Sequence, residues 1–278
     1  MLKHLSGEID YRVIHTNWNH YRSGWYYAKS LLTDHLKAGQ VSLYSSIEWQ
    51  FEDPHFTVSW KLEPKPISKY AGILHGHPQK ILNFLASDWY RSTSHLCVGL
   101  YCLSSCFKVD PIIKKTVYVP FGAPYYYWDI NQFMINKRYI TVGNAYRNFD
   151  FIRSTGLINQ HVHNYRQSAT RLSDQDYDQL LASSVVVLNI TDEAVVNCVL
   201  DCLACHTPLL VNRTKTFEEY LGVDYPLFYN DLSDCVRKAN DMKSLSDGHL
   251  YLKKKDISRH SGEYFINSVV SGFRNSHY

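Results

Sequence analysis

Residues 184–222, SVVVLNITDEAVVNCVLDCLACHTPLLVNRTKTFEEYLG, constrain the fold more than any other stretch of the chain. Residues 185–190 are too short and too apolar for a surface helix. Their β-branched run suits a parallel strand covered on both faces. Thr191 or Asp192 is the candidate cap of the helix that follows, read as running from Glu193 past Cys202. Residues 208–211 form a second buried strand, and 216–221 a short exit helix. Strand, helix and strand in this order build a parallel α/β sheet.

Glu193, Asn197 and Asp201 recur every four residues and so lie along one stripe of that helix. Its two carboxylates are separated by a rise of roughly 12 Å. Each has a plain structural alternative. An acid at a helix start is a favourable partner for the helix dipole. Asp201, between Leu200 and Cys202, is a poor mid-helix residue that needs a partner for its charge, and a structural ion pair would supply one.

With 278 residues the chain has ample core for one large or two modest domains. A net charge of +3, with no dense basic cluster beyond residues 253–255, argues against a nucleic-acid partner. No apolar run approaches the roughly 20 residues of a membrane span, and the N-terminus lacks a signal-peptide core, so a cytoplasmic protein is expected. Seven cysteines then point to reduced thiols. Cys198, Cys202 and Cys205 carry the spacing of a radical-SAM cluster loop, and 202–206 spells a haem-attachment pattern. Both are set aside, because residues 195–204 read as continuous helix without Gly. Tyrosine is frequent, at 22 residues, a composition that suits carbohydrate rings as well as cores.

Along the chain, residues 11–16 read as a first strand, followed by a polar loop, 17–24, with Asn17, Ser23 and Gly24, and a helix over 25–38. Strands are expected at 41–47 and 56–60. The apolar run 71–74 ends in His75-Gly76-His77-Pro78, two imidazoles at the carboxyl end of a strand, where open α/β sheets bind ligands. A further strand is expected over 95–103, and strand and turn over 117–124. The polar, Tyr-rich 125–136 marks a domain boundary, giving domains 1–130 and 131–278. Residues 138–142 open the second domain and break at Gly143-Asn144, with Arg147 close behind. Backbone N–H groups and one Arg there suit a diphosphate. A helix over 174–182, and helices over 231–242 and 258–273, complete the pattern. The sequons at Asn189 and Asn212 carry no meaning inside a cytoplasmic protein. None of the dinucleotide, phosphate-loop, zinc-protease or serine-hydrolase signatures is present.

In order, VPFGAP, RYITVGNAYRNFD and the 184–222 block resemble the landmarks of retaining glycosyltransferases of the family 4 type. The resemblance spans nearly the whole chain and is close from about residue 137 to 229. It implies an α/β fold of the GT-B kind, two Rossmann-like domains facing across a cleft. The first would be acceptor-side and the second would bind a nucleotide-sugar donor. The family's E-x7-E motif falls on Glu193 and Asp201, implying contacts to donor sugar hydroxyls and to the nucleoside ribose. Asp192 is a second candidate for the sugar. His75 resembles the family's histidine near the reacting centre. The family's donor-phosphate Arg and Lys are replaced by Asn144 and Phe149, and Arg147 is the candidate substitute.

The expected activity is retaining transfer of a sugar from a nucleotide-diphosphate donor to a hydroxyl acceptor on a glycan, lipid or protein-linked sugar. His75 and Glu193 are the expected catalytic residues. Gly143, Asn144, Arg147, Asp192, Ala194, Val195, Asn197 and Asp201 complete the donor site. Asn17, Ser23, Gly24 and His77 lie on the acceptor side. No cofactor and no metal are expected. A binding protein that kept the scaffold, and a nucleotide-sugar epimerase, are the alternatives.

Overall fold

The computed structural model describes residues 11–14, 41–45, 47, 69–76, 78–108, 113–144, 146–162, 172–192 and 195–274. They fall into two compact units, Met1–Pro120 with Ser258–Tyr278, and Phe121–Ile257.

Unit 1 carries β1 (Tyr11–Ile14), β2 (Val41–Ser45), β3 (Lys69–Leu74), α1 (Pro78–Ala86), α2 (Asp88–Thr93), β4 (Cys97–Cys102) and β5 (Ile113–Thr116). The strands form one parallel sheet in sequential order, β1-β2-β3-β4-β5. Its centre is apolar: Ala71, Ile73 and Leu74 of β3 and Leu100 and Tyr101 of β4 are fully buried. Buried strands of this kind form because a parallel sheet is covered on both faces. β5, written IKKT, has no apolar signature and lies upstream of the strand expected at 117–124. The expected strand at 56–60 and helix at 25–38 lie outside the described residues.

Unit 2 carries α3 (Ile130–Asn136), β6 (Arg138–Val142), α4 (Phe149–Ser154), β7 (Gln160–Val162), α5 (Asp174–Ala182), β8 (Ser184–Leu188), α6 (Asn197–Cys205), β9 (Leu209–Asn212), α7 (Lys215–Leu221), β10 (Phe228–Tyr229), α8 (Leu232–Asn240) and α9 (Met242–Lys254). Its parallel sheet has the order β10-β9-β8-β6-β7. Every residue of β8 is buried, as its β-branched run requires. Side chains cap the helix starts: Ser173 for α5, Thr214 for α7 and Asp231 for α8 each accept a backbone N–H of the first turn.

The chain then returns to unit 1 through a short 3-10 turn, Ser258–His260, and α10 (Gly262–Arg274). His260 donates from Nδ1 to the Val119 carbonyl at 3.0 Å, and the Tyr101 hydroxyl donates to the Val269 carbonyl at 3.3 Å. The Arg259 guanidinium lies 4.4 Å from the Tyr118 ring centroid. A single cut near residue 130 does not describe this return. Among the described residues no helix is long and apolar enough to cross a membrane.

Gly248 lets α9 approach the buried Leu227. A Cβ there would stand 2.7 Å from Leu227 Cγ and closer still to Cδ1. Gly248→Ala gains up to about 1 kcal/mol of helix propensity but overpacks the core, at a cost of about 1–3 kcal/mol. A net loss of stability in a urea melt is expected, and a stabilised variant would contradict this packing.

Candidate functional site

In a doubly wound sheet the ligand crevice lies outside the carboxyl ends of the strands, where the strand order reverses. Counted along the chain, the strands of unit 2 are ordered 5-4-3-1-2, so the reversal falls between β6 and β8. The described strands of unit 1 run in sequence and contain no such point.

The chain leaves β6 through Gly143, whose φ of 80° favours glycine. A Cβ on Gly143 would also lie 3.0 Å from Arg147 Nη2. Arg147 folds back on its own loop, donating to the Val142 carbonyl from Nε at 3.1 Å and from Nη2 at 2.8 Å. Burial lowers its pKa, opposed by the neighbouring Cys198 and Tyr177. His161 Nε2 donates to the Gly143 carbonyl at 3.1 Å, and its ring packs on Phe149 at 4.9 Å.

The exit of β8 pairs with this loop. Arg147 and Ile190 form an antiparallel bridge. Asn148 N–H donates to the Asn189 carbonyl at 2.8 Å, and Thr191 N–H to the Tyr146 carbonyl at 3.0 Å. Tyr146 holds a φ of 60°, strained for a residue with a side chain. Asp192 follows, half-buried.

The helix beyond begins later than the sequence pattern implies. Val195 and Val196 are not helical, and α6 starts at Asn197. Its N-cap is Val196, in extended conformation and without a side-chain hydrogen bond, so neither Thr191 nor Asp192 caps it. Asn197 and Asp201 both stand on α6, while Glu193 lies outside the described residues. Unsatisfied N–H groups at a helix start, with the positive end of the dipole, attract anions. Asn144 Oδ1, behind β6, and Asn197 Oδ1, at this helix start, are both buried with no hydrogen-bond partner among the described residues. An acceptor left dry and unpaired costs about 1–3 kcal/mol.

Asp201 points elsewhere. It is 9% exposed, and its Oδ2 accepts from the Tyr177 hydroxyl of α5 at 3.0 Å. Burial, and then the Asp201 charge, push the Tyr177 phenol up, so it stays a donor. Tyr177 is thus a structural partner for the mid-helix acid. Cys198, Cys202 and Cys205 lie buried along the same helix, with Cys205 Sγ donating to Asp178 at 3.4 Å. Among the described residues no group of three or more His, Cys, Asp or Glu side chains could hold a metal ion.

Gly143, Asn144 and Arg147 follow β6 and Asp192 follows β8, the two strands that flank the switch point, while Val195 and Asn197 lead into α6 and Asp201 accepts from Tyr177. His75 lies in unit 1 at the end of β3, and burial alone lowers its pKa to about 4. Asn17, Ser23, Gly24, His77, Glu193 and Ala194 lie outside the described residues. His161 and Tyr177 join the site's framework without a sequence signal beyond their position on a strand and a helix.

No protein-family model matches the sequence, and no curated protein matches it. Solved structures do match. A mutant of TarM from S. aureus, in complex with fondaparinux, alpha-GlcNAc-glycerol and UDP, superposes with a TM-score of 0.56 at 7% identity, over 88% of this chain and 58% of that one. Sucrose-phosphate synthase from Thermosynechococcus elongatus gives 0.53 at 10% identity, over 94% and 80%. An alpha-glucosyltransferase (AGT) in complex with UDP gives 0.51 at 11% identity, over 92% and 84%. The chain thus spans less than two thirds of the TarM length. At such identities the likeness is one of fold: this is an α/β protein of two Rossmann-like units, with the fold of the GT-B glycosyltransferases.

Proposed function

We propose that the chain transfers a sugar from a nucleotide-diphosphate donor to a hydroxyl acceptor, with retention at the anomeric carbon. The donor binds at the switch point of unit 2. One observation carries this reading: α6 starts without a side-chain cap, and the amide oxygens of Asn197 at that start and of Asn144 behind β6 are buried without a partner among the described residues. The first suits an anion and the second suit hydroxyl donors, and a phosphosugar offers both. When the bond from the anomeric carbon to the diphosphate oxygen breaks, charge grows on the leaving group. The α6 N–H groups and the charge of Arg147 behind the loop stabilise it. Arg147 acts through the field and the shape of the loop, since Nε and Nη2 are held by Val142. His75, neutral at neutral pH, is a weak base there and suits hydrogen bonding better than proton abstraction.

A second reading is a non-catalytic scaffold that binds a nucleotide or carbohydrate. It is favoured by the same commitment of Arg147 to Val142, and by Asp201 being taken up by Tyr177. Binding without turnover across donors and acceptors would support it.

Thermal-shift titration with UDP, GDP, ADP and their sugar derivatives tests the leading reading. Ligand in excess of its dissociation constant raises Tm. One nucleotide family should stabilise the wild type, and Asn197→Ala should weaken the sugar nucleotide more than the bare diphosphate. Absence of any shift overturns the donor site.

Asp201→Asn and Tyr177→Phe should each cost about 1–3 kcal/mol of stability, less than additively together, with diphosphate affinity intact. Lost nucleotide binding at unchanged Tm in Asp201→Asn would restore the ribose role.

Between pH 6.5 and about 4 the unfolded chain takes up a proton on His75 that the folded chain refuses. This contribution to stability is present above 6.5 and is lost as pH falls toward 4, by roughly 3 kcal/mol at most. His75→Gln should flatten that part of the stability profile, and an unchanged slope would refute the low imidazole pKa.

A further inference from the structure

The exit of β8 is held on its other side by a residue with no assigned role. The ladder between β8 and β9 ends at Leu188 paired with Val211. Beyond it, Ile190 would expose both its N–H and its C=O. The Asn212 side chain satisfies both: Ile190 N–H donates to Oδ1 at 2.7 Å, and Nδ2 donates to the Ile190 carbonyl at 2.9 Å. An amide carries a donor and an acceptor side by side, a pairing that no carboxylate offers at neutral pH. From β10, the Tyr229 hydroxyl donates to the Leu188 carbonyl at 2.7 Å and accepts from Asn189 Nδ2 at 3.0 Å. Both sequon asparagines thus serve the same segment.

Ile190 is in turn the residue bridged to Arg147. The order across the site is therefore Asn212 side chain, residues 189–191, then residues 146–148 with the strained Tyr146. We infer that Asn212 is a positioning residue for the switch-point site: its amide sets the 189–191 segment, and through it the loop carrying Asn144 and Arg147. It extends the β8–β9 pairing by a side chain where the backbone ladder has ended. This rests on the donor reading for its functional consequence, but its structural half does not.

Two measurements separate the halves. In ligand-free protein, Asn212→Ala should speed amide exchange at Ile190, and at Thr191 and Asn148, whose N–H groups cross to the neighbouring loop. Val186, inside the ladder, should be unaffected. Wild-type exchange at Thr191 and Asn148 in the variant would overturn the inference, whether or not any nucleotide binds. With the nucleoside diphosphate that stabilises the wild type, Asn212→Ala should weaken affinity about tenfold, the equivalent of 1.4 kcal/mol. Unchanged affinity would overturn its functional half. Asn212→Asp is the second variant. At neutral pH its carboxylate faces the Ile190 carbonyl, and on protonation the carboxyl can donate to it again. Its exchange rates and affinity should therefore move toward wild type as pH falls, relative to wild type at each pH. A flat response would overturn the two-bond clamp. A wild type that binds none of UDP, GDP or ADP would sink the donor site, while the exchange data still decide the role of Asn212.

Discussion

Parallel strands end with carbonyl groups directed outward, and a crevice at those ends begins with the wrong polarity for an anion. In unit 2 this is corrected oxygen by oxygen. The Val142 carbonyl is taken by Arg147, that of Gly143 by His161, that of Leu188 by Tyr229 and that of Ile190 by Asn212. The carbonyls of Tyr146 and Asn189 are taken by backbone N–H groups of the opposing loop. With those carbonyls engaged, fewer backbone lone pairs compete for the N–H groups at the start of α6. The crossed pairing of the two loops around Ile190 is the constraint that keeps this arrangement in register.

The acidic and basic positions show how one sequence pattern can serve a different physical task. Asp201 stands where a Glu would stand in the resembling family, one methylene longer. The shorter acid stays within helix packing and meets a phenol on α5. Arg147 lies in the loop, as a phosphate ligand would, yet its planar fork closes on a carbonyl of its own chain. Both side chains act as local braces.

Much of the fold was legible because the buried strands of unit 2 are pure apolar runs. β6 and α5 stand at the residues where the strand over 138–142 and the helix over 174–182 were expected. The start of α6 was misread because Val195-Val196 continues an apolar run of helical composition, while Val195 is not helical and Val196 is extended. β7 is three residues long and carries polar Gln160 and His161, too little for a periodic signal. α9 contains Gly248, which lowers helix propensity and hides the element whose packing requires it. The Asn212 clamp could not be read from sequence, since it joins residues 22 apart that only the sheet order brings together. The return of α10 was invisible for the same reason: an amphipathic helix at the end of a chain does not state which sheet it will cover.

That return gives the two units different histories. Unit 2 is one uninterrupted segment, so every residue of its sheet is available once position 257 has been synthesised. Unit 1 is written in two pieces, and its sheet waits through the whole of unit 2 before the segment from Ser258 arrives. Until then the surfaces near Val119 and Tyr101 lack the partners they meet in the finished fold. The nascent protein therefore passes through a stage in which the proposed donor-binding half is complete and the other half is still open. Chaperone engagement at that stage would fall on unit 1, not on the more recently made unit 2.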